Sequence, residues 1–294
     1  MTLRTSALAA ACAAGLLTVP AAASAAAPTV VAGPLQVKDY AMTLVATHGS
    51  PSLSVMFSRT SGKASQTHMY SFPAGATVKV KGAKASIKAD LGAYGAIDLK
   101  VKRLGGARAG VVPKGCTGST GKSRAGTFAG SFKLVADSTY FATVSAKKLK
   151  GQVLKSGKLE CGSTGTPSQR PTTLTANLDT PAGMLMFTAS RAADGSVIQQ
   201  AMRMDDEAAT APATIMHLIS APGAAPAFAP SPDLTSATGA AISPFFSGAF
   251  TFAGEAMGTM SMGTLSGDLA ARFDSIGTQA IAAAGPDAIL MPGQ

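Results

Sequence analysis

Phe128-Ala129-Gly130-Ser131-Phe132-Lys133-Leu134 is the stretch on which the fold of this chain turns. Phe128, Gly130, Phe132 and Leu134 share one parity, and the residues between them are small or charged. A period of two is what a strand with one buried face requires, because successive side chains leave opposite sides of the backbone. Ile97-Asp98-Leu99-Lys100-Val101-Lys102 and Leu149-Lys150-Gly151-Gln152-Val153 obey the same rule. Gly and Pro punctuate at short intervals, and no window sustains a helical apolar stripe with caps at both ends. The Ala-rich stretches alternate with Gly, Thr and Val, which suits closely packed sheets. The chain reads as all-β.

The strand pattern is written twice. Leu44, Ala46, Pro51, Met56 and Phe57 recur 130 positions later as Leu174, Ala176, Pro181, Met186 and Phe187, while Gln66 and Met69 recur after 133 as Gln199 and Met202. Further on, Phe128, Gly130, Phe132 and Leu134 match Phe246, Gly248, Phe250 and Phe252, and Leu149, Gly151 and Val153 match Leu265, Gly267 and Leu269. Such self-similarity marks an internal duplication. It predicts two tandem antiparallel β-sandwich domains, with small β-barrels as the alternative closure. Apolar alternation stops and turn formers cluster around residues 163–171, which reads as a linker between a domain at 26–162 and another at 172–294.

Residues 1–25 carry Arg4, an apolar Ala-rich run and Ala23-Ser24-Ala25, the pattern of a cleaved secretory signal peptide. A secreted or extracytoplasmic location follows as an expectation, with a mature chain from Ala26 and no transmembrane segment in it. Cys116 and Cys161 are then the two remaining cysteines, and an even count in an exported chain favours a structural disulfide.

The two copies differ sharply in charge. Residues 26–164 hold 16 Lys and 4 Arg against 5 acids, a balance of +15; residues 165–294 hold no Lys, 4 Arg and 10 acids, a balance of −6. Lys79 and Lys81, Lys100 and Lys102, and Lys148 and Lys150 form pairs of one parity that alternate with apolar residues, so each pair points away from the core. If their strands share a sheet, six ammonium groups line one face and attract an anionic cell-surface polymer or other polyanion. The plain alternative is that lysine solubilises and guards strand edges. A third reading docks the basic face on the acidic copy, whose densest cluster is Asp205, Asp206 and Glu207. Lys outnumbers Arg, Trp is absent and only four Tyr are present, so sequence-specific nucleic-acid recognition is not supported.

Met257, Met260 and Met262 sit among Gly, Ser and Thr and offer an alternative function, an exported copper(I)-binding module, since thioethers are soft ligands. Methionine as core filler is the plain counterpart. His48, His68 and His217 show no metal-ligand spacing, and His68 and His217 fall within strands as structural residues. The loop Gly115 to Ser123 departs from a phosphate-binding pattern at Cys116. Nothing marks a nucleophile elbow, and acids are too scarce to suggest a glycosidase pair. The reading is a non-catalytic β protein needing no cofactor, with an unrecognised extracellular hydrolase as a second alternative that a pocket holding His48 or His217 beside a carboxylate would raise.

Overall fold

The computed structural model describes residues 27–114, 116–119, 121–136, 138, 140–155, 158–161, 171–180, 183–205, 213–224 and 227–293. Residues 1–25, read above as a signal peptide, residues 163–170 of the expected linker, Asp206 and Glu207 lie outside them. Among the described residues there is no α-helix, only strands and two short 3-10 turns.

The N-terminal half begins with a meander of β1 (Thr29–Val37), β2 (Tyr40–Thr47), β3 (Leu53–Ser61) and β4 (Ala64–Phe72). A second meander follows, β5 (Ala76–Lys81), β6 (Lys84–Asp90) and β7 (Gly95–Val101), and then the short β8 (Ala107–Ala109). After β9 (Cys116–Ser119), the long strands β10 (Lys122–Val135) and β11 (Thr143–Leu154) join the meanders, β10 to β7 and β11 to β1. β12 (Lys158–Cys161) returns to pair with β9 as a separate two-stranded ribbon, with Cys161 directly opposite Cys116 in the backbone register.

The C-terminal half runs through β13 (Thr172–Thr180), β14 (Gly183–Arg191), β15 (Ser196–Asp205) and β16 (Thr214–Ala224) as consecutive hairpins. β17 (Phe228–Pro230), β18 (Ser236–Ala240), β20 (Ala249–Met257) and β21 (Met260–Gly267) continue the sheet, β20 following the short β19 (Phe246–Ser247). β22 (Ala270–Phe273) and β23 (Gly277–Ala280) form a hairpin that pairs with β19. The last strand, β24 (Asp287–Met291), inserts between β13 and β21.

Both halves therefore order their strands alike: β11-β1-β2-β3-β4 in one, β21-β24-β13-β14-β15 in the other. The place held by the first strand of the N-terminal half is held by the last strand of the C-terminal half. The all-β class is as expected, but the sheet does not close into barrels and the two halves are not separate sheets. β4 pairs with β16 over seven residues, Thr214↔Ser71 to Ser220↔Ser65, so a single 19-stranded antiparallel sheet crosses both halves. Its ends at β5 and β17 do not meet, and the sheet is not closed. Alternation reports which face of a strand is buried, not which strand lies beside it, so this junction had no trace in the periodicity.

Two large apolar cores form, beside a small methionine-rich cluster. One gathers Phe57, Tyr70, Phe72, Phe128, Phe132 and Phe141, and also Ala213 and Ile215 from the C-terminal half. The other gathers Phe187, Phe228, Phe246, Phe250 and Phe252, and also Ala64 from β4. Each half thus borrows core residues across the junction. Gly130 and Gly248, matched in the sequence, both have positive φ (143° and 83°), and a Cβ there would lie 2.0 Å from Asp98 O and 2.4 Å from Asp268 O respectively. Glycine is required at both positions, at Gly130 within a bulge of β10.

Candidate functional site

The six lysines picked out by parity lie on one face. Lys79 is paired in register with Ser86, Ser86 with Lys100, Lys100 with Ala129, and Ala129 with Lys148, one row across five adjacent strands. Lys79, Lys100 and Lys148 occupy every second strand of that row and are therefore about 10 Å apart along it. Lys81, Lys102 and Lys150 lie two residues further along their chains, and all six are exposed. Val78, Ile87, Leu99 and Leu149, from the opposite parity, are buried beneath them. The lysines stand on that side because the apolar residues between them must face the core. One of the six has an ion pair among the described residues: Lys100 Nζ lies 3.2 Å from Asp98 of its own half.

A second concentration of polar groups is buried at the junction. His68 of β4 and His217 of β16 face each other in register, with their Nδ1 atoms 2.9 Å apart. His217 Nε2 lies 3.1 Å from Asp205 Oδ2, and Ser275 Oγ lies 2.7 Å from His217 Nδ1. In the neutral tautomer that fits Asp205, His217 Nε2–H donates to the carboxylate, and the single Nδ1 lone pair is shared between Ser275 O–H and His68 Nδ1–H. His68 Nε2 is then a buried acceptor without a protein partner. Burial, and secondarily His217, hold the His68 imidazole well below its ordinary pKa. Asp205 is also ion-paired with Arg203, Nε to Oδ1 at 3.2 Å, so its charge is engaged inside its own half.

Ser275 arrives on the turn between β22 and β23, which reaches across to the N-terminal half. Asp274 in that turn accepts from Tyr40 Oη at 2.7 Å and Arg59 Nη2 at 2.6 Å. Gln66 donates to Arg272 O and accepts from Asp274 N, and Ser138 Oγ donates to Ser275 O. Burial and the bond to Asp274 push the Tyr40 phenol up. His68 stacks on Phe141, with ring centroids 5.2 Å apart. The halves are thus joined by the contacts of one turn and, within the sheet, by β4–β16.

Ser275, His217 and Asp205 stand in the order of a hydrolytic relay, but Ser275 is only 5% exposed and His217 is 0% exposed. Two surface clefts lie elsewhere, one lined by Thr172, Arg191 and Pro230, the other by Thr77, Lys88 and Asp98 next to the lysine row. Neither includes a residue of the relay. His48 places Nδ1 2.9 Å from Val78 O and tethers a turn to β5. Met257 and Met260 oppose each other at the tip of the β20–β21 hairpin and Met262 opposes Glu255; all three are exposed.

Sequence reasoning missed the junction network. One signal was available: His68-Met69 and Met216-His217 are mirrored dipeptides, so an antiparallel pairing sets His against His and Met against Met.

No family model and no curated protein matches the chain. Among solved structures, kievitone hydratase from Nectria haematococca aligns over 90% of this chain and 88% of its own length, at 10% identity and a TM-score of 0.21, a likeness too low to carry an argument. Among the described residues, no helix is long and apolar enough to cross a membrane, which says nothing about strands.

Proposed function

We propose that this is an exported β protein that binds a polyanion, an anionic surface polymer, through the outer face of β5, β6, β7, β10 and β11. The observation that carries the reading is the register row Lys79, Lys100 and Lys148, with Lys81, Lys102 and Lys150 beside it, exposed together on one sheet. Clustered ammonium groups raise the local potential and displace counterions from a polymer, whereas the same charge scattered over a surface does so weakly. Internal docking of this face on the acidic copy has less support: Asp205 is taken by Arg203 and His217, and the one ion pair of the row is internal to its half. Export rests on the N-terminal signal pattern, and the bridge between Cys116 and Cys161 rests on that location and on their direct cross-strand register. The two halves are read as copies because their strand orders and their positive-φ glycines Gly130 and Gly248 correspond.

The test is retention of the whole mature chain on an immobilised polyanion as salt rises. The variant with all six lysines changed to Gln is expected to elute at much lower salt than wild type. Equal elution of the two would overturn the reading.

A further inference from the structure

The side of the junction strands opposite the histidines carries sulfur. Met56 of β3 pairs in register with Met69 of β4, Met69 with Met216 of β16, Met216 with Met204 of β15, and Met204 with Met184 of β14. Five methionines stand in one row across five adjacent strands, contributed by both halves. Met56, Met69 and Met216 form one buried cluster with Leu218, against which Met202, Met204, Val45 and Cys116 pack. The row grades outward: Met56 is 0% exposed, Met69 and Met216 are 4% exposed, and Met184 is 38% exposed.

We infer that the Met69, Met216 and Met204 thioethers form a site for a soft monovalent cation, copper(I), entered from the Met204 and Met184 edge. Directly opposed residues hold their Cβ atoms about 4.5 to 5.5 Å apart. Met69 and Met204 flank Met216 from alternate strands, about 10 Å apart, so with metal–sulfur bonds of about 2.3 Å their flexible side chains reach from opposite sides an ion held over Met216, whose sulfur completes the set. The donor set selects the ion. The three side chains offer sulfur alone, and thioethers suit a d10 monocation, whereas a hard divalent ion takes six or more oxygens and the same face supplies only neighbouring hydroxyls such as Thr43 and Thr67. The imidazoles of His68 and His217 alternate with Met69 and Met216 and leave the opposite face. The exposed hairpin set Met257, Met260 and Met262 lacks this enclosure.

The experiment titrates the mature chain anaerobically with copper(I) held by a chromogenic chelator. Wild type and the hairpin variant Met257→Leu/Met260→Leu/Met262→Leu are expected to withdraw one equivalent alike. The variant Met69→Leu/Met216→Leu/Met204→Leu is expected to bind more than about tenfold more weakly, since losing even an outer-shell partner costs a metal site that much. Met204→Leu alone, at the half-buried end of the row, is expected to weaken binding in the same direction and covers the case in which the triple variant does not fold. X-ray absorption of the bound ion is expected to show sulfur ligands only. No withdrawal by wild type, loss in the hairpin variant with retention in the row variants, or nitrogen and oxygen ligands would each overturn the assignment.

Discussion

The outer faces of the two halves share a scaffold and differ in chemistry. On the N-terminal half one register row reads Lys79, Ser86, Lys100, Ala129, Lys148; on the C-terminal half the row across β18, β20 and β21 reads Thr238, Thr251, Ser266. Both rows are exposed except for the half-buried Ser86, and both cover buried apolar residues, Leu99 and Leu149 in one case and Ala237 and Leu265 in the other. Strands of this architecture therefore assemble with a neutral outer face. Folding does not require the lysines, and a cationic face of this size is more than solubility asks of a small domain.

The largest effect should come from erasing the difference on the basic side. Changing the six lysines to Gln should lower polyanion affinity by orders of magnitude at moderate salt, yet leave urea-induced unfolding within about 0.5 kcal/mol, as surface substitutions do. The converse, Thr238→Lys/Thr251→Lys/Ser266→Lys, should give the C-terminal half measurable retention in the background of the six-lysine variant. Breaking the junction separates architecture from binding. His217→Ala leaves His68 Nδ1 and Ser275 Oγ without their buried partner and should cost about 3 kcal/mol or more in urea unfolding, while salt-dependent retention of the folded protein stays unchanged.

Acid should act through the same junction. His68 is held neutral in the folded state, its pKa lowered from 6.5 by burial first and His217 second. The unfolded chain then binds more protons, so this contribution to stability is complete above pH 6.5 and is lost as pH falls from there through the folded pKa. Unfolding free energies between pH 7.5 and 5 should decline, and His68→Phe should flatten the decline. The smallest effect belongs to the methionine row. Met69→Leu conserves volume in an apolar setting and should cost less than about 1.5 kcal/mol.

How much of this was legible in the sequence follows from what alternation encodes. Phe128, Phe132 and Leu134 are buried and Lys133 is exposed, as their parity requires. The six lysines fall on one face because each sits between residues that the core claims. The partners of His217 were out of reach: His68 is 149 residues away, and Ser275 comes from a hairpin of another sheet. Pairing of β4 with β16 is a tertiary choice between two strands that each have an apolar face. The same choice makes residues 26–164 an incomplete unit, since Ile215 fills their core and β4 would be left as an open edge. Binding is therefore to be measured on a chain that holds both halves.

The most direct measurement is the slope of log affinity against log salt for a soluble polyanion, compared between wild type, Lys79→Gln/Lys100→Gln/Lys148→Gln, and the charge-matched control Lys63→Gln/Lys114→Gln/Lys155→Gln. The row variant should lose about 2 to 3 from the magnitude of the slope, near the 0.7 to 0.9 per contact that nucleic acids show, and the control should lose little. Equal slopes for the two triple variants would mean that net charge alone draws the polymer, and would contradict a binding face.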